Sequence, residues 1–228
     1  MKQKLCYFSL FEWGLILFSY TAIFLTFFLF DGKDYFNLFS SVIGIAALIF
    51  SAKGNPTGPL LMILFSIAYG IISYSFSYYG EMITYVGMSL PMSVWAFAAW
   101  FRHPSDKGHS ETAVGAVRGR EWWLIAFLTA AVTLLFYFIL GALDTPNLIP
   151  STFSVSTSFA ACYLTARRSP YFALAYATND VVLIVLWTLA TLENIGYLSV
   201  TVCFTVFLIN DLYSFFNWRR MSKRQKAN

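Results

Sequence analysis

Charge is scarce in this chain: only 11% of its 228 residues are Asp, Glu, Lys or Arg, against about 25% in an ordinary soluble domain. With 58% of residues hydrophobic and 20% aromatic, a water-soluble globule is excluded. Histidine is equally sparse. His103 and His109 lie in a polar, Gly-containing stretch without companion ligands, so no metal site is read there, and no apolar run holds a His to act as a general base. Cys6, Cys162 and Cys203 have neither metal-ligand nor redox spacing, and no disulfide is expected. Phosphate loops, ATP-binding-cassette signatures and proton-relay runs of acids and histidines are all missing. These absences argue against an enzyme and against a pump driven by an energy source. No cofactor and no nucleic-acid partner are expected, and facilitated diffusion is the default transport mode.

What the chain has instead is long apolar runs. Uncharged stretches extend over Trp13–Phe30, Tyr35–Ala52, Gly54–Gly80, Met82–Phe101, Trp122–Leu143 and Thr145–Ala166, each reaching the roughly 17 residues that span a bilayer. Two more follow, each interrupted by one acid, Asp180 and Asp211. The expectation is an all-α polytopic membrane protein with eight transmembrane helices. Alternating eight segments puts every Lys and Arg except Lys33 on one side. Because basic residues in short loops stay cytoplasmic, both termini are placed inside. The start, with Lys2, Lys4 and Glu12 before a long run without a small-residue cleavage site, reads as a retained helix.

The halves of the chain match each other. EWGLILF from Glu12 lies over EWWLIAF from Glu121, with five of seven positions identical. Ala46-Ala47, Ala52, Lys53 and Pro56 lie over Ala160-Ala161, Ala166, Arg167 and Pro170, and after a short slip Tyr79, Phe97 and Trp100 lie over Tyr197, Phe215 and Trp218. Four segments per half make a parallel repeat, related by an axis along the membrane normal. The divisions are 1–101 for the first repeat, 102–120 for a cytoplasmic connector, 121–218 for the second repeat and 219–228 for a basic tail.

Polar groups inside spans mark the candidate site, since an ionisable side chain in the bilayer centre costs about 2.5–3.5 kcal/mol on insertion scales. Asn179 and Asp180 fall mid-way along the seventh segment, and Asp180 shares a helix face with Ile184 and Trp187. Asn210 and Asp211 lie in the eighth, where Asp211 shares a face with Ser214 and Trp218. An acid beside indole faces suits an organic cation or flat heterocycle; the competing role is interhelical contact, and Trp218 is assigned to the aromatic belt at the membrane edge. In the first half, Ser66 and Ser93 replace the two acids, so the duplicated fold does not carry duplicated chemistry. Tyr85, Ser89, Ser93 and Trp95 run along the fourth segment, where Pro91 could act as a hinge. Ser66, Tyr85 and Trp95 join the candidate substrate-binding set as secondary members. Glu81 is read as a solvated turn residue, and Glu12 and Glu121 as helix-start acids.

The segments SAKGNPTG from Ser51, SYYGEMITYVGMSLPM from Ser77, YATNDVVLIVLW from Tyr176 and VFLINDLYSFFNW from Val206 resemble the PnuC family of bacterial nicotinamide riboside transporters, over roughly Ser40 to Met221. The resemblance implies a SWEET-like core, two three-helix bundles joined by a central helix, here with one extra N-terminal helix. It further implies a homotrimer among the lipids of the bacterial cytoplasmic membrane. The activity implied is energy-independent uptake of nicotinamide riboside, trapped inside by phosphorylation for NAD biosynthesis. Thiamine, riboflavin and deoxynucleosides are the alternative substrates within such a family. Asn179 and Asn210 fall where the family places polar substrate contacts, whereas the first bundle shows Tyr85 and no obvious Gln.

Overall fold

A computed structural model of the chain describes residues 7–31, 35–75, 79–105, 110–145, 147–193 and 195–227; Lys2, Lys4, Cys6, Lys33, Lys107 and His109 lie outside the described residues. Eight long helices follow in order: α1 (Leu10–Leu29), α2 (Tyr35–Ala52), α3 (Thr57–Ser75), α4 (Tyr79–Arg102), α5 (Gly119–Ala142), α6 (Leu148–Ala166), α7 (Tyr171–Glu193) and α8 (Leu198–Lys226). Seven are long and apolar enough to cross a membrane. The exception is α6, where eight crossings were expected, and the reason is chemical. Its sequence is rich in Ser and Thr, which lower its hydropathy but bond back to the preceding turn: Thr152, Ser156 and Thr165 donate to the carbonyls of Leu148, Thr152 and Ala161 at 2.8, 3.0 and 2.8 Å. Small hydroxylated residues of this kind also let helices approach closely inside a bundle, and α6 packs against α4, α5 and α7.

Local signals explain the helix ends. Ser9 caps α1 in a reciprocal capping box with Glu12, which satisfies two of the amides left over at a helix start. The ends of α2 and α6 are alike: Gly54 (φ 68°) and Arg168 (φ 57°) both take the left-handed conformation that stops a helix. In α4, six residues, Thr84–Ser89, form a π-helical stretch immediately before Pro91. Leu90 N–H bonds to Tyr85 O, five residues back, and such π-turns often sit at functional positions.

Six of the helices close a ring. Each packs on the next in the order α2, α3, α4, α6, α7, α8 and back to α2. Gly44 of α2 makes the last closure possible: a Cβ there would come 2.6 Å from the Phe207 ring of α8. Outside the ring, α1 packs against α2 and α8, while α5 packs against α6. Much of α5 is left bare, with Phe127, Leu134, Leu135 and Phe138 all exposed, as expected of a lipid-facing helix.

Residues that the two halves share in sequence make equivalent contacts. Lys53 pairs with Glu12 at 2.9 Å, and Arg167 donates to Glu121 at 3.0 Å. Trp218 of α8 donates its indole N–H to Ser51 O of α2 at 2.8 Å. Trp100 of α4 donates to Thr165 O of α6 at 2.7 Å. The fourth helix of each half is thereby bonded to the second helix of the other. The two rings contact each other at 5.1 Å and both are fully buried, so Trp218 belongs to the core and not to an aromatic belt. Periodicity along α8 could not reveal that partner, because it lies on another helix.

The connector between α4 and α5 is bonded across one face of the bundle. Thr112 N–H donates to Gly54 O at 2.8 Å and Gly115 N–H to Arg168 O at 2.9 Å, the two left-handed residues. Val114 N–H donates to Gln225 of α8 at 2.7 Å, and Arg224 pairs with Glu111. α8 itself continues helically through the basic segment to Lys226.

Two predictions follow from these contacts. Trp100→Phe and Trp218→Phe each remove one buried hydrogen bond while the carbonyl keeps its backbone donor, Arg168 N–H or Gly54 N–H, a loss of about 0.5–1.5 kcal/mol, and each should lower the thermal unfolding midpoint of the detergent-solubilised protein by a few degrees. Unchanged midpoints would show that the crossed bonds do not hold the halves together. Gly54→Ala places a Cβ in the left-handed region, 2.9 Å from the Met221 methyl, and should cost about 1 kcal/mol. Arg168→Gly relieves the same strain and should not lower the midpoint.

Candidate functional site

Asp180 of α7 and Asp211 of α8 are both almost fully buried, and their carboxyl groups lie within hydrogen-bonding reach of each other. That meeting is set by the packing of α7 on α8. Neither acid has a basic partner. Among the described residues the ion pairs are Lys53–Glu12, Arg167–Glu121 and Arg224–Glu111, all at the helix ends. A buried carboxylate without a counter-charge is costly by several kcal/mol, so a group of this kind calls for an external partner. Asp180 Oδ2 and the hydroxyls of Ser40, Ser66 and Ser214 are buried with no hydrogen-bond partner in the protein.

Beside the acids stands an aromatic wall. Tyr69 of α3 and Tyr85 of α4 have ring centroids 4.5 Å apart, Phe65 stacks on Tyr69 at 5.6 Å, and Phe204 and Phe207 of α8 close the cluster. Trp187 is buried in the same cluster and packs on Tyr197 at 5.6 Å. Tyr85 sits in the π-helical stretch, within electrostatic reach of both Asp180 and Glu81. Glu81 is no solvated turn residue. It lies on the first turns of α4, with Oε2 buried and without a partner, and Tyr69 hydrogen-bonds to it.

The remaining sequence candidates are distributed unevenly. Ser66 is fully buried. Asn179 turns toward α6, where its Oδ1 accepts from Thr157 at 2.8 Å and Ser154 at 3.3 Å. Asn210 donates to Ser19 of α1 at 2.9 Å and to Val206 O at 2.9 Å, so its amide ties α8 to α1. Trp95 is 44% exposed and packs edge-on against Tyr163; it is not brought to the acids. Periodicity missed Phe65, Tyr69, Glu81, Phe204 and Phe207. A usable signal was present at Tyr69, one turn from Ser66 on the same face of α3.

Small cavities lie between the helices, and neither of the two described next is lined by Asp180 or Asp211. One, lined by Glu81, Thr84, Tyr85, Ser151 and Ser154, holds about 20 Å³. Another, lined by Leu48, Met62, Ser93, Cys162 and Tyr176, is of the same size. Each has room for about one water, far below the roughly 300 Å³ of a site for a bound heterocycle.

Residues 34–220 match the model of a family described as nicotinamide mononucleotide transporter. A nicotinamide riboside transporter PnuC from Neisseria mucosa is 26% identical over 206 residues, covering 88% of this chain and 78% of that protein. The protein of the same name from Haemophilus influenzae is 21% identical over 188 residues, 82% of this chain and 80% of its own. The crystal structure of the vitamin B3 transporter PnuC superposes with a TM-score of 0.83 at 23% identity, covering 96% of this chain and 94% of that one; the eight-helix fold is therefore shared. The arrangement of helices and the match over most of the sequence lead to one conclusion: this chain is a multi-pass membrane protein that belongs to the nicotinamide mononucleotide transporter family.

Proposed function

We propose that this protein carries nicotinamide riboside across the bacterial cytoplasmic membrane by facilitated diffusion. The observation that carries the reading is the buried Asp180–Asp211 pair, which has no basic partner among the described residues and lies within electrostatic reach of Tyr85, a ring packed on Tyr69. Nicotinamide riboside presents a flat, positively charged pyridinium ring and a hydroxyl-bearing sugar. A ring face attracts the cation, a carboxylate neutralises it, and the unpartnered Ser66 and Ser214 hydroxyls suit the sugar. Relatives named nicotinamide riboside transporters support the same substrate. Thiamine is the second reading, because its charged heterocycle meets the same acids; riboflavin and deoxynucleosides carry no cation to offset them.

In this proposal eight crossings form two parallel repeats, 1–101 and 121–218, joined by the connector 102–120, with both termini and the basic 219–228 segment in the cytoplasm. The matched ion pairs and crossed Trp bonds support the repeat. The crowding of Lys and Arg on one side of the membrane supports the orientation. The two small cavities among the helices are each too small for a nucleoside, and in this proposal transport proceeds by the bundles rocking apart around the acids, first to one side and then to the other. Glu81, at the opposite end of α4 from the connector, joins Asp180, Asp211, Asn179, Asn210, Ser66, Tyr85 and Trp187 on the path. A homotrimer follows from the family resemblance, and the bare apolar face of α5 is a surface that protomers could share.

Three outcomes are expected. Liposomes containing this protein alone should exchange labelled nicotinamide riboside in counterflow without an ion gradient; absence of exchange, with thiamine exchanged instead, would transfer the assignment to thiamine. Asp180→Asn should weaken nicotinamide riboside binding about tenfold or more by calorimetry while the protein stays folded, and undiminished affinity would remove the counter-ion role. Tyr85→Phe should leave affinity within about threefold, because the ring and not the hydroxyl faces the cation.

A further inference from the structure

A large cavity lies outside the ring. It has a volume of about 650 Å³ and sits on the connector face, between connector residues 113–117, the starts of α5 and α7 and the end of α8. This volume is in the range of small-molecule sites. Its chemistry is opposite to that of the interior. Arg219, Lys223 and Lys226 all line it, and among the described residues no acidic side chain does. Elsewhere on this face, three described acids are paired: Glu12 with Lys53, Glu121 with Arg167 and Glu111 with Arg224. Arg219 lies over the Phe215 ring, and among the described residues none of the three lining cations has a carboxylate partner. Trp122 and Tyr171 meet edge to face at 5.7 Å on the opposite wall. These two residues begin α5 and α7, and helix starts carry partial positive charge.

Lys and Arg at a helix C-terminus and on the cytoplasmic side need no ligand to explain their presence. Those effects do not account for their convergence on a concave wall. The walls are held in place by named bonds: Gln225 both accepts from Val114 N–H at 2.7 Å and donates to Thr112 O at 3.2 Å, and Gly115 is bonded to Arg168. A Cβ at Gly115 would run into the Arg167 carbonyl oxygen, so the close approach of the connector to α7 is built on glycine. The pocket is a preformed, cationic hollow with one aromatic wall.

We propose that this pocket binds a phosphate group, with Arg219, Lys223 and Lys226 as its cationic ligands and Trp122 and Tyr171 as its ring wall. The phosphate can belong to a soluble nucleotide or to an anionic lipid headgroup, and the chemistry of the two is shared. The inference does not depend on which substrate is transported.

The test is the thermal midpoint of the detergent-purified, full-length protein in two parallel titrations. One uses adenosine monophosphate with adenosine as its uncharged control. The other uses short-chain phosphatidylglycerol with phosphatidylcholine of the same chain length. A ligand of the folded state raises the midpoint by about 3–5 °C when present at about ten times its dissociation constant. A rise with adenosine monophosphate identifies a soluble source, and a rise with phosphatidylglycerol but not adenosine monophosphate identifies the lipid. In either case the rise should vanish in Lys223→Gln/Lys226→Gln and shrink in Lys223→Gln alone. It should persist in Arg102→Gln/Arg220→Gln, which removes equal charge outside the pocket. No rise in either titration, or a rise of equal size in the pocket and control variants, would overturn the proposal.

Discussion

The crossed hydrogen bonds of Trp100 and Trp218 determine how the rest of this molecule is arranged. Each indole reaches the last turn of a helix in the opposite half of the chain, to Thr165 O and Ser51 O respectively. The two rings touch at 5.1 Å. Each of these carbonyls already accepts a backbone N–H from its own turn, Gly54 to Ser51 O and Arg168 to Thr165 O, both at 2.9 Å, and each half supplies the indole that fills the carbonyl's second acceptor position in the other. As a result α4 lies against α6 and α8 against α2, and six helices close into a ring. Neither half could form such a ring alone.

Closing the ring creates an interior, and the interior is acidic. Asp180 and Asp211 face each other, and Tyr85 lies within electrostatic reach of Asp180 and Glu81, while every described Lys and Arg stays near a helix end or in a connecting segment. The segregation has a physical basis. Long basic side chains reach water readily from helix ends, but a short Asp in mid-span cannot. Two carboxyl groups that meet share a proton, and any negative charge left on the pair must be balanced from within the interior. An organic cation entering from either side is the group that relieves it, and the cage of ring faces adds attraction without adding charge.

Much of the fold was legible in the sequence, because bilayer crossing leaves a strong one-dimensional signal. Uncharged runs located all eight helices, whereas the pairing of Glu12 with Lys53 and of Glu121 with Arg167 was not read from the matched halves, where both acids stood as helix-start residues. α6 was legible by length but not by hydropathy, since its hydroxyls are satisfied by its own backbone. The site was harder to read. Asp180 and Asp211 stood out as costly residues, yet that they face each other is a property of two helices. Asn210 stood out as a polar mid-span residue, but its bond to Ser19 of α1 could not be read from α8; Trp218 looked like a surface anchor and is core. Tyr69 escaped notice, and Glu81 was read as a solvated turn residue, for a related reason. Periodicity identifies the face a residue occupies, but not the residue from another helix that lies opposite.

The central claim is that the interior recognises positive charge on a flat ring. Nicotinamide riboside and its dihydro form have nearly the same size and hydrogen-bonding groups, but only the former carries the pyridinium charge. Calorimetric titration of both into the purified protein isolates that charge. The account predicts that nicotinamide riboside binds at least about tenfold more tightly, a difference of about 1.4 kcal/mol or more. Equal affinities, or a preference for the uncharged form, would contradict it.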